Sequence, residues 1–224
     1  MNNNMMHSPF FKMLNTHELA AVASISQIQH YKKLNHIFYD QTEMTHFYFV
    51  EEGTVKIYRT DVNGKEQIVN FFGPGELFPH HAFFRTGPYP ANAVVVEDAK
   101  ILSISKNEFE TLVKMNPELS IKMFKYLGNL IVDLQKRLQE KILEPTPQQL
   151  LLMLKRLALM HGEVENNDFT KILLKINKQE LANMLGLTRE TVSRNFTAFK
   201  KMHILKEDAD GFIEINLHKI KDSK

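Results

Sequence analysis

The chain of 224 residues is 43% apolar and 24% charged, has no cysteine and carries a formal charge of +2. That apolar fraction supports a packed core and excludes a disordered polyelectrolyte. The absence of cysteine excludes a disulfide scaffold, a Cys-ligated zinc or iron–sulfur site and a thiol nucleophile. At roughly 100–200 residues per domain, the length corresponds to one large domain or two smaller ones. No apolar run approaches the about 18 residues of a membrane span. Residues 1–12 lack the charged-then-apolar order of a signal peptide. A soluble cytoplasmic protein without a membrane partner is expected.

Residues 9–30 have helical spacing, with Leu14, Leu19, Val22 and Ile25 on one face. From Asn35 the texture changes to short segments rich in Ile, Val, Phe and Tyr: 36–39, 46–50, 54–60, 67–72, 91–96 and 100–105. Glu52-Gly53, Asn63-Gly64, Gly73-Pro74-Gly75 and Gly87-Pro88 punctuate them. Asn63-Gly64 predicts a type I′ hairpin, which needs positive φ at both central residues. Short strands at this spacing predict an antiparallel sandwich or roll. Residues 1–115 are therefore taken as a β-roll domain.

After Pro117 the period becomes helical and stays so to Leu143. Met123, Leu127, Leu130, Leu134, Leu138 and Ile142 form a stripe, widened by Phe124 and Ile131. So long and narrow a stripe predicts a dimer seam over 116–144, although packing on its own domain is the alternative. Pro145 breaks the helix, and Thr146, Pro147 and Gln149 read as N-cap, first helical residue and capping-box partner of the next. Residues 145–224 then form smaller units. A helix covers 150–161 and a strand 171–176. Asn177 and Glu180 start a helix over 179–185, which ends at Gly186. Thr188 caps a helix from Arg189 to about Met202, and a hairpin turns at Asp210-Gly211. Helix, glycine-bearing turn, helix and hairpin make a winged helix-turn-helix.

Charge separates with this division. Residues 145–224 hold 13 Lys and Arg against 10 Asp and Glu, while residues 1–144 hold 15 against 16. Leu181, Met184 and Leu185 are expected to bury the first helix of the motif, and Val192, Phe196 and Phe199 the second. What remains outward is Arg189, Glu190, Ser193, Arg194 and Thr197. The N-terminal half of such a helix reaches base edges in the major groove. There an Arg can bond guanine O6 and N7 in bidentate fashion, and a Glu can accept from cytosine N4. Double-stranded DNA is the expected partner.

The segment Gly186-Leu-Thr-Arg-Glu-Thr-Val-Ser-Arg194 resembles the Crp–Fnr family of bacterial transcription regulators. The order of elements resembles that family along nearly the whole chain: β-roll with Gly53 and Gly75, long helix after Pro117, winged helix last. The resemblance implies an α+β protein with a cyclic-nucleotide-binding-like β-roll, a long dimerisation helix and a C-terminal winged helix-turn-helix. It implies a homodimer on palindromic DNA that recruits or blocks RNA polymerase and has no enzymatic activity. By it, Arg189, Glu190, Ser193 and Arg194 read TGTGA-like half-sites, while Lys178, Gln179 and Thr188 touch the DNA backbone. The loop 162–168, with Glu163, Glu165 and Asp168, corresponds to a polymerase-contacting loop, which suggests an activator.

The effector pocket departs from the family's cyclic-AMP pattern. An ungapped reading from Gly75 puts Pro79-His80-His81 where Gly-Glu-Leu would hold the ribose, and Pro90-Ala91 where Arg-Ser would hold the cyclic phosphate. Leu134 and Gln135 replace the adenine-contacting Thr-Ser pair. Without a cationic partner the phosphate loses its charge-assisted bonds, so no useful cyclic-AMP affinity and no cofactor are expected. His80, His81 and Arg85 are the polar residues left for an altered effector pocket. The competing reading is a cupin-like metal-binding β-roll whose C-terminal domain mediates protein contacts. Adjacent histidines serve it poorly, because it requires His-x-His and Glu on converging strands.

Overall fold

The computed structural model describes residues 8–83, 85–164 and 168–221. Contacts divide the chain into two units, Met1–Asp133 and Leu134–Lys224, so the division falls within the long helix.

In the first unit, a short 3-10 turn precedes α1 (Thr16–Ser24). Asn15 caps α1 reciprocally: its Oδ1 accepts from the Glu18 amide at 2.9 Å, and Glu18 accepts from the Asn15 amide at 2.7 Å. The helix expected to run to residue 30 stops here. Residues Ser26–Tyr31 form strand β1 instead, where sheet pairing overrides a helix-compatible spacing. The other strands are β2 (His36–Phe38), β3 (His46–Thr60), β4 (Glu66–Phe72), β5 (Leu77–Phe78) and β6 (Asn92–Ser105). All pairs are antiparallel, in the order β1-β6-β3-β4, with β2 also on β6 and β5 on β3.

One break expected between strands is a bulge. β3 runs through Glu52-Gly53, and its register against β6 shifts between Val50 and Val55. Gly53 has φ +84°, and a Cβ there would lie 2.6 Å from the Asp98 carbonyl oxygen. The glycine therefore marks a close approach of two backbones, not a chain reversal. The β3–β4 hairpin is present but is not type I′. Only Gly64 of the Asn-Gly pair has positive φ, and the longer loop is tied by Asp61 Oδ1, which accepts from the amides of Asn63 (2.8 Å) and Lys65 (2.9 Å).

Aromatic rings fill this core: Phe47 meets Phe83 and Phe109 edge-on at 4.6 and 4.9 Å, and Phe38 stacks on Tyr89 at 3.9 Å. Helix α2 (Lys106–Met115) follows the roll, capped by Ser105. Helix α3 (Pro117–Leu143) has the predicted bounds. Its apolar stripe, however, serves two purposes. Leu119, Met123 and Tyr126 are buried in the core of their own unit, and Leu127 and Leu130 pack partly against it. Phe124, Ile131, Leu134, Leu138 and Ile142 remain 56–69% exposed. Met123 is thus a core residue and is not available to a seam. The exposed apolar face is rotated toward Phe124 and Ile131.

In the second unit, α4 (Thr146–His161) begins at an N-cap of Pro145 with no side-chain cap. Thr146 and Gln149 do not form the expected capping box. Gln149 instead donates its amide to the carbonyls of Glu144 (2.8 Å) and Lys141 (3.1 Å), tying α4 to the end of α3. The buried carboxylate of Glu140 pairs with Arg156 across the same corner. Strands β7 (Gly162–Val164), β8 (Phe169–Ile172), β9 (Leu205–Glu207) and β10 (Ile213–Asn216) form a sheet in the order β7-β8-β10-β9. Between them lie α5 (Lys178–Leu185) and α6 (Arg189–Lys201). The strand expected over 171–176 is thus shorter and starts earlier.

Gly53→Ala forces a side chain into a strained backbone region and a closed contact. Urea unfolding is expected to show a loss of about 2 kcal/mol or more, whereas a neutral result would contradict the bulge geometry.

Candidate nucleic-acid interface

The helix-turn-helix is built from caps. Asn177 Oδ1 accepts from the amides of Gln179 (2.9 Å) and Glu180 (3.0 Å), and Glu180 returns to the Asn177 amide at 2.9 Å. This is the capping box expected at the start of α5. Gly186 ends α5 at φ +66°, in the left-handed region. Leu187 donates back to the Ala182 carbonyl at 2.9 Å, closing the turn. Thr188 Oγ1 then accepts from the Thr191 amide at 3.2 Å and starts α6.

Val192, Phe196 and Phe199 are buried, at helical spacing, on one face of α6. Leu181 and Ala182 of α5 are buried as well, whereas Met184 and Leu185 are only half-buried. That packing fixes which way α6 points its opposite face. Glu190, Ser193 and Arg194 are exposed on it, and Arg189, angularly nearer the buried stripe, is exposed as the first residue of the helix. Among the described residues, the side chains of Arg189, Glu190 and Arg194 make no hydrogen bond or ion pair. Ser193 is engaged only through its carbonyl, which accepts from Thr197 Oγ1 at 3.1 Å. Two guanidinium forks and a carboxylate are thus held on a rigid helix with their bonding capacity unspent.

The residues assigned to the DNA backbone differ in availability. Gln179 is exposed and donates to Asn183 Oδ1 at 2.8 Å. The Thr188 hydroxyl is committed to its cap, with Thr191 Oγ1 also 3.0 Å away. Lys178 lies over the Phe196 ring at 5.3 Å and pairs with Glu207 at 3.4 Å. Glu207, on β9, also pairs with Lys200 at the end of α6. Half-burial alone would raise the Glu207 pKa, but its bonds and attraction to the two lysines hold it below the usual carboxylate range. Sequence reasoning missed this carboxylate, since nothing in the spacing of 178, 200 and 207 places them together.

At the wing, Asp208 Oδ1 accepts from the amides of Asp210 (3.0 Å) and Phe212 (2.8 Å), and Gly211 turns the chain at φ +84°. The neighbouring Lys171, 2.6 Å away, holds the Asp208 carboxyl below its usual range. Of the acidic loop 162–168, Glu163 is exposed on β7, and Glu165 lies outside the described residues.

In the β-roll, His80 and His81 meet different surroundings. The His80 ring is 5.6 Å from Phe72 and 6.0 Å from Tyr126 of α3. His81 is half-buried, and its Nε2 has no hydrogen-bond partner. Burial first, then the charges of Arg85 and Arg59, hold its imidazole below the usual pKa. Arg85 itself is exposed. At the place where the family resemblance puts a phosphate-binding arginine, Arg59 Nε donates to the Pro90 carbonyl at 2.7 Å. Among the described residues, no three His, Asp or Glu side chains converge as a metal site. No helix among them is long and apolar enough to cross a membrane.

Comparisons with known proteins agree with this geometry. Residues 28–116 match a cyclic nucleotide-binding domain, and residues 148–221 a Crp-like helix-turn-helix domain. The chain is 30% identical over 213 residues to the cyclic AMP receptor protein of Thermus thermophilus, covering 90% of each. It is 25% identical over 197 residues to the anaerobic regulatory protein of Bacillus subtilis, covering 88% of this chain and 82% of that one. Among solved structures, FixK2 from Bradyrhizobium japonicum superposes with a TM-score of 0.75 at 17% identity, over 89% of this chain and 99% of that one. That likeness shows the fold. It does not favour the cupin-like alternative. By the two matched domains and the identity along nine-tenths of its length, the chain belongs to the Crp–Fnr family of transcription regulators, with a helix-turn-helix DNA-binding domain.

Proposed function

We propose that the protein binds palindromic double-stranded DNA as a homodimer in the cytoplasm. In this reading it uses TGTGA-like half-sites and regulates transcription by contact with RNA polymerase, as an activator. The observation that carries this reading is the free outward face of α6. Arg189 and Arg194 are exposed and unpaired among the described residues, on a helix whose other face is buried. Arg189, Glu190 and Ser193 occupy the N-terminal half that enters a major groove in this motif. Gln179 is the freest of the three residues assigned to phosphate contact.

The dimer rests on α3. Phe124, Leu127, Ile131, Leu134 and Leu138 follow the alternating three- and four-residue steps of a heptad seam, and all but the partly buried Leu127 are exposed. Ile142 extends the same apolar surface. The polymerase contact draws on the exposed Glu163 and on the family likeness. Cyclic AMP is not the effector in this reading. The residues at the nucleotide positions are Pro79, His80, His81, Pro90 and Ala91, and none offers the carboxylate or the guanidinium of the cyclic-AMP pattern.

Arg189→Ala is expected to cost about 1–3 kcal/mol of specific binding and to relax discrimination at one base pair. Gel shifts against single-base variants of the selected site measure this. Full retention of sequence preference would remove Arg189 from base reading. Leu138→Glu places a charge in the seam and is expected to shift the protein to monomer in sedimentation velocity. A variant that stays dimeric would move the interface elsewhere. Glu207→Gln releases Lys178 and Lys200 from their internal anion. Non-specific DNA binding is then expected to tighten at low salt. The slope of log affinity against log salt should steepen by about 0.9 for each phosphate gained. An unchanged slope would mean that neither lysine reaches the backbone.

A further inference from the structure

The first unit has an open pocket of about 450 Å³ lined by Asp40, Gln41, Arg59, Thr60, Arg85, Thr86, Pro88 and Pro90. It lies between the turn after β2, the end of β3 and the loop that leads to β6. The walls are fastened to the roll. The Gln41 amide donates to the Tyr89 carbonyl, and the Tyr89 amide to the Thr42 carbonyl, both at 2.9 Å. The Asp40 amide donates to Asn92 Oδ1 at 3.0 Å. On the far side, the largely buried Lys106 donates its ammonium to the Arg85 carbonyl at 2.6 Å.

The charge in this pocket is lopsided. Both guanidiniums line it, and both act on His81, whose Nε2 is buried without a hydrogen-bond partner. Arg59 spends its Nε on the Pro90 carbonyl, which leaves both terminal nitrogens of the fork available. Among the described residues, neither Arg59 nor Arg85 has a carboxylate within ion-pair distance. Asp40, the one acidic lining residue, accepts from the Gln41 side chain at 3.0 Å. Two like charges lining one pocket repel one another, and an oxyanion bound by both forks offsets that repulsion. The Thr60 and Thr86 hydroxyls supply neutral donors at the rim.

We infer that this pocket is a binding site for a small multivalent oxyanion, a phosphorylated or polycarboxylate molecule held by Arg59 and Arg85. The inference concerns the β-roll alone and stands whether or not the helix-turn-helix binds the proposed DNA. The full-length protein is titrated with pyrophosphate, citrate and cyclic AMP by calorimetry at matched ionic strength. Pyrophosphate, citrate or both are expected to bind, the stronger naming phosphate or carboxylate as the preferred group. Arg85→Gln and Arg59→Gln are each expected to weaken that binding about tenfold or more, the worth of a charge-assisted bond. Lys114→Gln, a change outside the pocket, is expected to leave it unchanged. Arg85→Gln leaves the Arg59 bond to Pro90 intact, so it remains informative if Arg59→Gln fails to fold. The inference is overturned if neither multivalent anion binds, if both arginine variants bind as well as the parent, or if cyclic AMP binds more tightly than either.

Discussion

The second unit is organised by the apolar stripe of α6. Val192, Phe196 and Phe199 can be buried together only if the helix presents one particular face inward. Once that face is fixed, Glu190, Ser193 and Arg194 turn outward, and Arg189 is exposed by its place at the first turn. The caps on either side remove the remaining freedom. Asn177 sets where α5 begins, Gly186 lets the chain reverse, and Thr188 sets where α6 begins. The base-reading side chains are therefore positioned by groups that never touch a base.

The long helix obeys a related constraint with a different result. One turn of α3 cannot offer the same residues to its own core and to a second copy. The structure gives Leu119, Met123 and Tyr126 to the core and leaves Phe124 and Ile131 outside. Read as a single stripe, the sequence merges the two faces, because residues one apart differ by only 100° around a helix. Burial against the roll decides between them, and that information lies in the strands, far away in the chain.

Local signals were legible where a few neighbouring residues determine the outcome. The Asn177 and Glu180 box, the Gly186 turn and the Thr188 cap all follow from hydrogen bonds within a few positions. Signals that needed a distant partner were misread. Residues 26–30 have helical spacing but pair with β6. Gly53 looks like a turn but lies against Asp98 and Ala99, a contact known only once β3 and β6 are paired. Thr146 has the residue pattern of a cap, yet Gln149 finds the carbonyls at the end of α3. Glu207 went unnoticed for the same reason: its lysines come from the start of α5 and the end of α6. In the β-roll, Arg85 was legible as a nearby cation, while Arg59 was not, since it reaches the pocket from another strand.

The absence of cysteine and the small net charge take on narrower meanings in this fold. No cysteine is present to ligate an iron–sulfur cluster, and the roll instead brings Arg59 and Arg85 to one pocket. The most direct test of the central claim is a random-site selection with the full-length protein on double-stranded DNA. An enriched two-fold symmetric sequence is expected, with half-sites centred about one helical turn apart, roughly 10–11 base pairs. Recovery of no enriched sequence, or of one without two-fold symmetry, would contradict it.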